Sequence, residues 1–116
     1  VAILTASRAA LGPRAMAAAG IDPARVVVMG CEDIPSFAAS FLAPQAAQAT
    51  RLDRECLEQA LVEKSQEALR ESPDIGAILL ECGNLPPSAR AISRATGRPV
   101  FHMLDAAALL MRAQGQ

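Results

Sequence analysis

Four short stretches of this chain are apolar on nearly every residue: Val1–Leu4, Arg25–Met29 (apolar from Val26), Ile75–Leu80 and Pro99–Phe101. A strand with one wet face alternates apolar and polar residues. A strand covered on both faces reads as a continuous apolar run, as these do. The segments between them carry helical rather than alternating patterns. Strands that alternate with helices predict a parallel sheet with helices on both faces, a three-layer α/β/α domain. Right-handed crossovers leave few strand orders, and the flavodoxin-like order 2-1-3-4 is the one expected here.

The intervening helices have readable ends. An alanine-rich stretch runs to Ala19 and stops at Gly20, with Gly12-Pro13 interrupting its start. Asp33 is placed to cap a short helix over Ile34–Leu42 that carries Pro35 in its first turn. Asp53 caps the strongest helix. Leu57, Ala60, Leu61, Ala68 and Leu69 form its apolar face, Glu58, Glu63, Glu67 and Arg70 its wet face, and Pro73 its end. A further helix over Pro86–Ala95 stops at Gly97, and Leu104–Ala113 forms the last.

Composition narrows the function classes. The chain has 116 residues, enough for one domain (1–116), and it begins inside a strand, so a preceding segment is expected. Aromatic residues make up 3%, with no Trp or Tyr, which argues against stacking platforms for bases or sugars. The net charge of -1 with mixed signs offers no basic stripe, so no nucleic-acid partner is expected. No apolar run approaches the ~18 residues of a membrane span. The 3 cysteines match neither a disulfide framework nor a zinc set, which points to the reducing cytoplasm and to no metal.

In parallel sheets the chemistry gathers outside the carboxyl ends of the strands. Those ends bring together Thr5 and Ser7, then Cys31, Glu32 and Asp33, then Glu81, Cys82 and Asn84, and finally His102. Most have a plain structural reading. Thr5 and Ser7 suit turns and caps, Glu32 and Asp33 a solvated turn and an N-cap. His102 fits a structural residue as well as a ligand or base, and Cys56, inside a helix, reads as packing. Cys82 differs through its neighbours. Gly83 permits close backbone approach and Asn84 can orient a polar group. Pro86-Pro87 opens a helix whose free N–H groups would favour an anion and a thiolate. No phosphate-binding glycine loop, serine nucleophile elbow or receiver-type aspartate cluster is present.

Residues 76–101, GAILLECGNLPPSARAISRATGRPVF, resemble the closing motif of the aspartate/glutamate/hydantoin racemase superfamily: a hydrophobic strand, Glu-Cys-Thr-Asn, Pro-Pro, a helix and a TGxPVFD turn. VAILTAS and VVVMGCEDIPSF resemble earlier stretches of the same second domain. The resemblance implies half of a cofactor-independent racemase or epimerase acting on an amino acid or hydantoin, with the first domain and its cysteine absent. Cys82 would be one of two acid–base thiols flanking the α-carbon. Thr5, Ser7, Gly83, Asn84 and His102 would hold the small carboxylate substrate.

Two positions depart from the pattern: Gly83 stands for the usual Thr and His102 for the usual Asp. The first brings the motif nearer to arylmalonate decarboxylases, which keep a single cysteine. A non-catalytic binding or assembly domain of the same fold is the alternative outside the enzymes. Cys31 as second base within this chain would require thiols from strands about 9.6 Å apart, at ~4.8 Å per step, to lean together; the family does not call for a cysteine there. In the family the last helix packs toward the first domain. Leu104, Leu109, Leu110 and Met111 are therefore expected to lack cover and to drive self-association into a homo-oligomer.

Overall fold

A computed structural model describes residues 1–115. The four strands are β1 (Ala2–Thr5), β2 (Val27–Gly30), β3 (Ile78–Leu80) and β4 (Val100–His102), all parallel, in the order 2-1-3-4. The helices are α1 (Pro13–Ala18), α2 (Pro35–Phe37), α3 (Arg54–Glu71), α4 (Ala89–Thr96) and α5 (Met103–Ala113). The architecture is the expected three-layer sandwich.

Register explains how the core divides. Leu4 lies beside Met29 on one flank and Leu80 on the other, so these side chains share a face. With Ala2, Ile78, Leu57, Leu61 and Ile92 they form the main core, over which α3 and α4 pack against each other. The crossovers from β2 to β3 and from β3 to β4 run in the same direction, so right-handedness puts both helices on that side. The opposite face carries the row Val28, Ile3, Leu79 and Phe101. Ile3 is buried, Val28 and Leu79 are half-buried, and Phe101 is 52% exposed. Cover thins toward the β4 edge, and α5 does not restore it: it buries no residue, and Leu109, Leu110 and Met111 stand open.

Helix ends follow local chemistry with one exception. Asp53 Oδ1 accepts from the Cys56 N–H at 3.0 Å and starts α3 as expected. Leu57, Leu61, Ser65 and Ala68 then recur at intervals of 4, 4 and 3 and are all buried. Ser65 sits in this stripe without penalty, because its hydroxyl donates to the Leu61 carbonyl at 2.8 Å. Gly97 closes α4 at φ 67°, where a Cβ would be strained. Asp33, however, caps nothing. Ile34 holds the cap position of α2, and both Asp33 carboxylate oxygens lie 2.9 Å from Lys64 Nζ on α3. The ion pair outbids the cap, and α2 runs on into a wider π turn over Ala38–Leu42.

Candidate active site

The carboxyl edge of the sheet gathers the expected residues, but most are committed to one another. Thr5, 3% exposed, donates from Oγ1 to Glu81 Oε2 at 2.8 Å. Ser7 opens the β1–α1 turn: its carbonyl accepts from Ala10 and Leu11 N–H, and its hydroxyl lies 3.4 Å from the Ala10 nitrogen. Glu32 folds back so closely that a Cβ on Gly30 would overlap its carboxylate. That carboxylate accepts from the Arg8 N–H at 3.2 and 3.3 Å, fastening the loops after β1 and β2 together. His102 ends β4 and is at once the residue before α5; its N–H donates to Asp105 Oδ2 at 2.8 Å, and its Nδ1 lies 3.4 Å from the same oxygen. His102 is thus engaged in starting α5.

The three cysteines separate cleanly. Cys31 is fully buried directly after β2, and its N–H donates to the Thr5 carbonyl at 2.9 Å. Burial pushes its thiol up to about 12, against a partial offset from Lys64. Such a group stays protonated and cannot serve as a base at neutral pH, which removes Cys31 as the second base. Cys56 is exposed on α3, not packed. It precedes Leu57, so the helix turns it about 100° off the buried stripe.

Cys82 is half-buried after β3, and Asn84 Nδ2 donates toward its Sγ at 3.7 Å. The expected helix start behind it takes another form. Pro86–Ser88 is a single 3₁₀ turn preceding α4. Its prolines have no N–H, the Leu85 N–H bonds the Cys82 carbonyl at 3.1 Å, and the Ser88 N–H bonds the Leu85 carbonyl at 2.9 Å. The backbone of 85–88 therefore has no donor left for an anion. Side chains must supply what that turn does not.

Beside Asn84 lies a cavity of about 340 Å³ lined by Gly83, Asn84, Ser88, Phe41, Arg54 and Glu58, among others. A larger cavity, about 540 Å³, lies between α1 and β2 and takes no residue from the loops after β3 or β4. Cys82 is not in the lining of the smaller one, but Asn84, which reaches its thiol, is, and this makes it the candidate site. Arg54 and Glu58 carried no functional signal in the sequence, where Glu58 reads as part of the wet face of α3; it is half-buried. Among the described residues no group of three or more His, Cys, Asp or Glu could hold a metal.

The fold and the edge define an α/β domain with one partly accessible thiol beside an amide and a polar cavity. Comparison with known proteins is more particular. The chain is 35% identical over 117 residues to a dimethylsulfoniopropionate lyase of Durusdinium sp. clade D, a match that takes in 97% of this chain and 37% of that protein. It is 35% identical over 88 residues to dimethylsulfoniopropionate lyase 7 of Emiliania huxleyi, covering 71% of this chain and 24% of that protein. Lyase 3 of the same organism is 36% identical over 88 residues, covering 71% and 21%. The chain therefore spans little more than a third of the first relative and about a quarter or less of the others. No family model and no solved structure matches.

These relatives correct the functional expectation. They are named lyases, and none is a racemase, an epimerase or an arylmalonate decarboxylase. The isomerase reading is accordingly withdrawn, as are the decarboxylase and non-catalytic alternatives. No helix is long and apolar enough to cross a membrane among the described residues.

Proposed function

We propose that this chain forms the thiol-bearing part of a lyase that expels a leaving group β to a small carboxylate, with dimethylsulfoniopropionate as the substrate. The observation that carries this reading is the 35% identity to a lyase of that name along nearly the whole chain. The chemistry of such a substrate suits the edge described above. Its carboxylate makes the α-proton weakly acidic, and its sulfonium, two carbons from the carboxylate, is a good leaving group. The Cys82 thiolate takes the α-proton, the electron pair forms the carbon–carbon double bond, and the carbon–sulfur bond breaks. The products are acrylate, neutral dimethyl sulfide and the Cys82 thiol, with charge balanced and no oxidant or cofactor required.

An elimination of this kind needs one base, whereas inversion at the α-carbon needs two. At this edge of the sheet Cys82 is the accessible thiol and Cys31 is sealed away, an arrangement compatible with the former. Gly83 gives the substrate access to the backbone beside the thiol, and Asn84 orients it. Thr5, Ser7 and His102 act one step back by fixing the loops that carry these groups. The three free cysteines support a reducing, cytoplasmic setting, and the open apolar face of α5 supports self-association.

The test is release of dimethyl sulfide from dimethylsulfoniopropionate, followed by gas chromatography, for the whole protein that carries this chain and for its Cys82→Ser and Cys56→Ser variants. Release by the parent and Cys56→Ser, with loss of at least a hundredfold in Cys82→Ser, is expected. Equal activity in all three would remove Cys82 from the reaction. Absence of both release and α-proton exchange in heavy water would end the lyase reading.

A further inference from the structure

The cavity beside Asn84 brings opposite charges to one wall. Arg54 and Glu58 lie one helical turn apart on α3 and both line it. Residues at this spacing are neighbours on a helix and ordinarily pair. Among the described residues, however, the one lysine or arginine paired with a carboxylate is Lys64, with Asp33. Arg54 and Glu58 thus line the same cavity with no direct ion pair between them. Phe41 brings an aromatic ring to the cavity, held against the fully buried Phe37 with ring centroids 5.0 Å apart. Ser88, 6% exposed, adds a hydroxyl to the wall.

We infer that this cavity is a recognition site for a small zwitterion, a carboxylate joined to an onium group, with Arg54 receiving the carboxylate and Glu58 with Phe41 receiving the onium. Each part has its physical reason. A guanidinium binds a carboxylate through two parallel N–H donors, which the spent backbone of the 85–88 turn cannot do. A sulfonium or quaternary ammonium carries diffuse charge on methyl groups and forms no hydrogen bond through its centre. An aromatic face and a partly desolvated carboxylate are the groups that recognise it. The volume of about 340 Å³ lies at the small end of ligand cavities. Asn84 lines this cavity and also reaches the Cys82 thiol, so a ligand seated here lies one side chain from the base. The choice of a sulfonium among onium groups rests on the lyase reading; the paired charges do not.

The experiment is a titration of the isotope-labelled chain, followed through its amide resonances, with four probes: dimethylsulfoniopropionate, glycine betaine, propionate and trimethylsulfonium. Both zwitterions are expected to shift the amides of Phe41, Arg54, Glu58 and Asn84 and to bind at least tenfold more tightly than either half-ligand. Arg54→Met should weaken propionate and both zwitterions about tenfold and leave trimethylsulfonium unchanged, and Glu58→Gln should weaken trimethylsulfonium and both zwitterions about tenfold and leave propionate unchanged. Arg54→Lys, which keeps the charge, should recover part of the loss and separates recognition from folding. Shifts confined to another surface, or variants that affect all four probes equally, would overturn the assignment. Glycine betaine has no β-leaving group. Normal binding and variant effects with no release of dimethyl sulfide would therefore support this site while refuting the lyase. Cleavage with KM unchanged in both Arg54→Met and Glu58→Gln would do the opposite.

Discussion

Thr5 Oγ1 donates to Glu81 Oε2 at 2.8 Å, joining the carboxyl ends of the two central strands. The acid immediately before Cys82 is thereby tied to the neighbouring strand through one of its oxygens. Thr5→Val keeps the shape and deletes the donor. It should cost about 1 kcal/mol of stability, read from urea denaturation, while the KM for substrate stays within twofold. A large change in KM at unchanged stability would return Thr5 to the substrate-binding residues.

The thiols should differ in reactivity by burial. Brief alkylation followed by peptide mapping should label Cys56 and Cys82 and leave Cys31 unmodified until the chain unfolds. Labelling of Cys31 at the rate of Cys56 would mean that the loop after β2 opens readily.

The same burial predicts an alkaline weakness. The Cys31 thiol is raised from 9.0 to about 12 in the folded chain. Below pH 9 it is protonated in both states and has no effect. Between pH 9 and 12 the unfolded chain releases this proton first, so stability falls as pH rises, by at most ~1.4 kcal/mol per unit from this group. Cys31→Ala should flatten that limb of the stability profile. An unchanged profile in Cys31→Ala would locate the alkaline loss elsewhere.

Leu110 is 65% exposed on α5, beside equally open Leu109 and Met111. Leu110→Gln should alter folding stability by no more than ~0.5 kcal/mol and reduce association between copies, measured by sedimentation across a concentration series. A parent chain that stays monomeric throughout would remove the reason for the substitution.

The sheet was legible because four apolar runs can be buried on both faces in only a few ways, and order 2-1-3-4 is one of them. Asp53 was legible as a cap because nothing competes for its carboxylate, while Asp33, of the same residue type, was lost to Lys64, 31 residues away. Local pattern cannot register such a rival. Cys82 stood out through its neighbours, but the prolines that suggested an anion-binding helix start are also what deprive that turn of donors. Arg54 and Glu58 were illegible for a different reason. Opposite charges at i and i+4 describe a solvated helix face equally well, and only the approach of Phe41 and Asn84 turns that face into a wall. Residues 76–101 carry a thiol and its support, and no residue there spells out a reaction.

No residue separates β4 from α5: His102 ends one and Met103 begins the other. The joint therefore has no slack. A helix attached through a loop can swing without informing the sheet, but this one acts as a rigid lever on its strand. His102 is paired in register with Leu80, and Leu80 stands two positions before Cys82. A displacement of α5 is therefore carried through one peptide ladder, from β4 to β3, to the strand that aims the thiol.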